Sequence, residues 1–236
     1  MNDQRETHYD AQIRLEKGLI FLFVVISGSK NIRMKQLTSK TKILEAAIPL
    51  FANGGFNGIS MRAIAREVGL NAASIYHHFP DKQTLYIKAM AHAFSRKAEI
   101  LSAALATNAS SEQRLKHFVA AFCRIIHEDP NFRKLIQREI LEGDESRLRL
   151  LAEEVFLDIF SGLSSLSREL APSYDAHLLA ISIIGLMVYH YQTAPLRKFQ
   201  SGSRPEHNDP DVLAAHVTKL LLEGIKSRVS ETKKAN

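Results

Sequence analysis

From Thr38 onward the apolar positions recur at helical rather than strand spacing. Ile43, Leu44, Ala47, Leu50 and Phe51 fall at i, i+1, i+4, i+7 and i+8, along one face of a helix. Asn53-Gly54-Gly55 is expected to end that helix, because glycine readily takes the left-handed conformation that follows a helix end. Pro49 should loosen or kink the turn before it. Ser60 can cap a short second helix, Met61 to Val68. Gly69 then makes a tight turn, Asn71 can cap a third helix to about His78, and Pro80 limits its end. Asp81 can cap a long helix to roughly Ala106. Further helices are expected at about 111–128, 131–142, 145–170 and 174–193. A last one starts at Pro210, capped by Asp209, and runs to about Val229. Residues 194–209, rich in Pro, Gly and Ser, read as a loop, and no strand-like alternation competes. The expected fold is all-α.

Residues 1–33 stand apart. Leu19 to Ile26 is an unbroken apolar run of eight residues, far short of the roughly 20 that a spanning helix needs. It could be the core of a signal peptide, flanked by Arg14, Lys17 and Ser27-Gly28-Ser29. The preferred reading takes Met34 as the start and residues 1–33 as an extension outside the native protein. Met34 directly precedes a basic arm, Lys35 to Lys40, and then the first helical pattern.

Hydrophobic residues make up 45% of the 236 and charged residues 24%, which argues against disorder over the whole chain. A single cysteine, Cys123, excludes an intrachain disulfide framework and any Cys-based zinc finger. It lies in an apolar helical stretch and reads as core. The net charge of +6 is more informative once located. Residues 35–97 carry +6, residues 1–34 carry +1 and residues 98–236 carry −1. A basic module on a near-neutral body is the footprint of a nucleic-acid binder, although a solvated basic face would look the same.

The informative stretch is Ile59 to Phe79, two short helices about a turn at Gly69. Ile64, Ala65, Val68, Leu70, Ile75 and Phe79 are its expected shared core. Asn71, Ala72, Ser74, His77 and His78 point outward, and all are small or hydrogen-bonding. This is the grammar of a helix-turn-helix, whose second helix enters the major groove. An ordinary helical hairpin is the plainer alternative. Enzyme signatures are missing: the sequence holds no G-x-S-x-G, H-E-x-x-H, P-loop or G-x-G-x-x-G. Its ten histidines are scattered, and His77 and His78 lie on different helix faces. No catalytic residue, metal site or cofactor is called for.

Residues 43–85 resemble the DNA-binding domain of the TetR (tetracycline-repressor) family. The shared features are Ala47, Phe51, Gly55-Phe56, Ser60, Ile64-Ala65, Gly69, Ile75-Tyr76, His78-Phe79, Lys82 and Leu85. The resemblance implies a three-helix DNA-binding head at 34–81 and a helical effector-binding and dimerisation domain at 82–230, with a flexible tail at 231–236. It implies phosphate contacts by Tyr76 and Lys82, the latter in the first turn of the fourth helix, where free N–H groups attract an anion. It implies a base or phosphate contact by Arg62 beside the Ser60 cap, a recognition face of Asn71, Ala72, Ser74 and His77, and a backbone-tracking arm with Lys35 and Lys40. His78 is expected to pack against the helix joint. The C-terminal helices would enclose a small effector; Phe118, Phe122, Phe156, Phe160 and Tyr189 are the pocket candidates, with His117, His127 and His190 as possible polar anchors. The last two helices would form a homodimer interface through Leu178, Ile181, Ile184, Val188, Leu213, Val217, Leu220 and Leu221. The partners expected are a double-stranded DNA operator, a second copy of the chain and an unidentified small molecule, with no membrane, in the cytoplasm. A ligand-released repressor is the first reading; an activator, or a constitutive DNA-binding protein without an effector, are the alternatives.

Overall fold

A computed structural model describes residues 39–232; Lys35, the extension at 1–33 and the end of the tail lie outside them. Every regular element among the described residues is helical. Helix α1 spans 39–58 and continues through Pro49. Then follow α2 (Met61–Glu67), α3 (Ala72–His78), α4 (Lys82–Leu105), α5 (Ser111–Glu128), α6 (Pro130–Glu142) and α7 (Glu145–Leu151). A π-helical turn (Ala152–Phe156), α8 (Leu157–Leu170), α9 (Ala176–Gln192), α10 (Ala194–Arg197), a 3-10 turn (Pro205–Asn208) and α11 (Pro210–Thr232) complete the chain.

Local chemistry accounts for most of these boundaries. Ser60, Asn71, Asp81, Ser110, Asp129, Asp144 and Asp175 each accept a backbone N–H in the first turn of the helix they precede. Such a cap contributes about 1 kcal/mol. Four boundaries differ from the sequence expectation. The helical turns of α1 run past Asn53-Gly54-Gly55 to 58, yet Gly55 has φ +71°, so the chain changes direction where the glycines predicted a stop. The single helix expected at 145–170 is interrupted by the π-helical turn, which inserts an extra residue into the hydrogen-bond ladder. The expected loop at 194–209 contains two short helical turns, and α11 extends through residues 231–232, into the expected tail.

Two apolar clusters fill the molecule. The first joins Ile43, Ala47 and Phe51 of α1 to Ile64, Ile75, Phe79 and the first half of α4. Leu135 of α6 and Leu151 of α7 are buried in the same cluster. The second joins the rest of α4 to α5, α8, α9 and α11. Helix α4 thus belongs to both, so the apolar interior does not divide at residues 81/82. Burying about 25 cal/mol per Å² of apolar surface in each cluster is the main force holding head to body.

A polar joint reinforces that seam. Arg138 of α6 donates to the carbonyls of Ala52 (3.0 Å) and Asn53 (2.8 Å), beside the turn at Gly55. A Cβ at Gly55 would stand 2.6 Å from a Glu142 carboxylate oxygen, so this position needs glycine for space as well as for φ. Buried Arg147 pairs with Glu139 (2.9 Å) and Glu142 (3.1 Å), and its guanidinium lies 4.2 Å over the Phe56 ring. Burial, and then the adjacent Glu139 carboxylate, raise the Tyr86 hydroxyl well above the ordinary phenol range.

Candidate nucleic-acid interface and ligand cavity

The helix-turn-helix is closed by backbone bonds. Gly69 has φ +69°; its N–H donates to Arg66 O, and the Leu70 N–H donates to Ala65 O at 2.8 Å. That is a Schellman motif, which satisfies two terminal carbonyls of α2 and swings the chain into α3. Leu70, expected in the shared core, is 38% exposed because the motif carries it past the end of α2.

Helix α3 buries Ile75 and exposes Ala73, Tyr76 and His77. Ala72, Ser74 and His78 were expected to point outward but are half-buried; Ala72 lies three residues before Ile75, towards the inward side. Ala73, which the sequence reading did not single out, is exposed. Asn71 Oδ1 accepts from Ser74 N (2.8 Å) and Ser74 Oγ (3.0 Å), which leaves the Asn71 amide N–H groups and the Ser74 oxygen for a base edge. His78 is half-buried, its ring 5.5 Å from that of His77.

The cations of this face lack carboxylate partners; Lys40, Arg62 and Arg66 are exposed and Lys82 is half-buried. Among the described residues, no ion pair involves Lys40, Arg62, Arg66 or Lys82, whereas Lys88, Lys97, Arg114, Arg124 and Arg147 each pair with a carboxylate. Two details depart from the sequence expectation. Lys82 Nζ donates to Phe56 O at 3.0 Å and lies 4.3 Å over its ring, so in this conformation the ammonium is turned onto the α1 turn. The first turn of α4 is already occupied by Asp81, whose carboxylate accepts from Thr84 N at 2.6 Å.

In the body, a cavity of about 340 Å³ lies between α4, α5, α6, the π-helical turn, α8 and α9. That is the lower end of the roughly 300–1,000 Å³ typical of small-molecule sites. Of the five pocket candidates, Phe122, Phe156 and Phe160 line it. Phe118 is fully buried in the core, and Tyr189 is 68% exposed on the outer face of α9; neither reaches the cavity. His117, His127 and His190 are also absent from its walls. Burial lowers the pKa of His190, whose Nε2 sits 2.7 Å from His207 O. Sequence reasoning missed Phe94, Phe132, Arg133, Gln137 and Gln192. Phe94 stacks on Phe132 at 5.5 Å and meets Phe156 edge-on at 5.1 Å, closing one wall with aromatic rings. The π-helical turn ends on Phe156, which is one of the lining rings.

Helix α9 is apolar on two sides. Leu179, Ala180, Ile183 and Met187 face the core, while Leu178, Ile181, Leu186 and Tyr189 are exposed. Ile181, Ile184 and Val188, expected at the dimer face, also line the cavity. Leu213, Val217 and Leu221 of α11 are 5%, 2% and 9% exposed and pack within their own subunit. The outer side of α11 carries Val212 and Leu220 instead. Among the described residues no helix is long and apolar enough to cross a membrane.

Residues 43–89 match the family profile described as bacterial regulatory proteins, tetR family. The chain is similar to the transcriptional repressor KstR of Mycolicibacterium smegmatis, 25% identical over 52% of this chain and 60% of that protein. It thus spans about three-fifths of that relative's length. Its fold is that of the regulator FadR from Bacillus subtilis, solved with stearoyl-CoA (TM-score 0.66, 18% identity, 78% of this chain and 98% of that one). It is also that of AibR, solved with isovaleryl coenzyme A and operator DNA (TM-score 0.59, 19% identity, 77% and 95%). At these identities the likeness is one of fold.

Proposed function

Since the chain belongs to the tetR family of bacterial regulatory proteins through its head at residues 43–89, we propose that it is a ligand-responsive transcriptional regulator. Two copies hold a double-stranded operator through their α3 helices and leave it when a small molecule enters the cavity. The carrying observation is the division of charge: cations on the head lack carboxylate partners, while several on the body are paired. Unpaired lysines and arginines displace the counterions of phosphates, and that displacement dominates DNA affinity.

In this reading Lys40, Arg62, Tyr76 and Lys82 hold phosphates, and Asn71, Ala73, Ser74 and His77 meet the groove. Lys82 must leave Phe56 O to do so. The exposed apolar side of α9, with Val212 and Leu220 of α11, meets a second copy, because a helix apolar all round is stable only when covered. Dimerisation sets two α3 helices on successive major grooves. The protein acts in the cytoplasm, where its operator is. Repression is the favoured sense, in keeping with KstR, a transcriptional repressor.

The linkage between head and cavity runs through α6, which lines the cavity with Ile136 and Ile140 and holds the end of α1 with Arg138. A ligand that repositions α6 therefore changes the setting of the head, to the extent that it binds the two settings unequally. Selection of bound fragments from source DNA, followed by footprinting across a salt series, tests the reading. Sequence-specific protection with a steep salt slope is expected. Equal affinity for random DNA, or a monomer at micromolar concentration, would refute it.

A further inference from the structure

Five of the chain's twelve phenylalanines line the cavity of the body: Phe94, Phe122, Phe132, Phe156 and Phe160. Isoleucine and valine side chains supply most of the remaining wall. Arg133, Gln137 and Gln192 border it with carbon, because the wall is almost wholly apolar. The Arg133 guanidinium is engaged elsewhere: it donates to Ile126 O at 3.2 Å and stands 5.7 Å from the Tyr191 ring centre. Among the described residues no carboxylate lines the cavity, and Asp129, which caps α6, is held by Lys97 at 2.9 Å. An ion of either sign would therefore shed its water there and meet no partner. A neutral molecule carries no such penalty.

Size and ring geometry narrow the class further. The cavity holds about 340 Å³, roughly twice the 150 Å³ that takes one benzene ring in an engineered apolar cavity. Phe94 and Phe132 are buried and form its closed side, while Ile140 and Ile181, 62% and 50% exposed, mark the side open to solvent. Phe94 lies nearly parallel to Phe132 and edge-on to Phe156, so this wall is built from ring faces and ring edges together. An aromatic guest pairs with such rings face to edge or offset, which adds about two- to tenfold in affinity per pair beyond the area buried. We propose that the cavity takes an uncharged aromatic molecule of two or three rings, held by shape and ring contacts without a polar anchor, and that it rejects ions of either sign. The proposal rests on the reading of this cavity as the effector site.

Two fluorescent probes, N-phenyl-1-naphthylamine and 8-anilinonaphthalene-1-sulfonate, test this on the full chain. They share one three-ring skeleton and differ by a sulfonate, and the chain has no tryptophan to mask them. Ile184→Phe and Val188→Phe each fill the cavity, the second serving where the first does not fold, and cavity binding is the part of each signal that a filled variant loses. The neutral probe should bind the cavity about a hundredfold or more tighter than the sulfonate. Each folded variant should weaken it by about tenfold or more at an unchanged melting temperature. Naphthalene should displace it at lower concentration than decalin, its saturated relative, and decanoate should not displace it. Equal cavity binding of the two probes, displacement by decanoate, or decalin matching naphthalene overturns the proposal while the cavity remains an effector site. Failure of every compound to bind the wild type, or neutral-probe binding unchanged in a folded variant, overturns both.

Discussion

Replacing Arg147 by methionine separates the ionic part of the head–body joint from its packing. The Arg147 side chain is 6% exposed and Glu139 is fully buried, with their charged atoms 2.9 Å apart. Methionine keeps an apolar stem against Phe56 but leaves the Glu139 carboxylate buried without its cation. Removing one partner of a buried pair costs about 3–5 kcal/mol, several times the value of an exposed pair. Substituting Glu139→Leu as well removes the stranded charge, and an apolar replacement of a whole buried pair is roughly neutral. The expected order of stability is therefore wild type, close to it the double variant, then Arg147→Met about 3–5 kcal/mol lower. Urea denaturation at one fixed protein concentration measures this through the midpoint, provided the slope is unchanged. A loss below about 1 kcal/mol in Arg147→Met, or a double variant no better than the single, would refute the reasoning.

Three further outcomes follow from single sites. Gly69→Ala should lose about 1–2 kcal/mol in the same assay, because φ +69° is unfavourable for any residue with a Cβ, and no loss would show that the turn relaxes freely. Asp129 is pulled below the ordinary carboxylate range: burial raises its pKa, but the Lys97 ammonium and the N–H groups of Phe132 and Asn131 outweigh that. A depressed folded-state pKa stabilises above the unfolded value and is lost as pH falls through the folded one. The stability gap between wild type and Asp129→Asn should thus be full at neutral pH and shrink as acid is added below the usual range of about 4, and a gap independent of pH would count against the ion pair. Cys123 is fully buried, and burial followed by Asp211 pushes its thiol up to about 12, so iodoacetamide at pH 8 should label the chain only in urea.

The head was legible because its signals are local. Ser60, Asn71 and Asp81 each bind an N–H three residues ahead, and Gly69 closes the turn over four residues, so spacing along the chain is spacing in space. The helix starts expected at about 131 and 174 fell within a residue or two of those observed, Pro130 and Ala176. The sequence also placed Phe122, Phe156 and Phe160 in the body.

Direction was not legible in the body. An amphipathic or wholly apolar helix states that it will be buried, not against what. Leu213, Val217 and Leu221 had the pattern of an interface and went into their own core, while Leu178 and Tyr189 of α9 stayed outside. Phe118 and Phe122 are one turn apart, yet only Phe122 reaches the cavity. The bonds from Arg138 to Ala52 and Asn53 of α1 span more than 80 residues, and the π-helical turn that ends on Phe156 has no sequence period of its own. The sequence by itself determined the helices, their caps and a basic head, because each follows from neighbours within one turn. Tertiary structure decided the cavity, the joint between Arg147, Glu139 and Phe56, and the exposed face of α9. Each of these depends on which distant side chains exclude water together, and chain spacing carries no record of that choice.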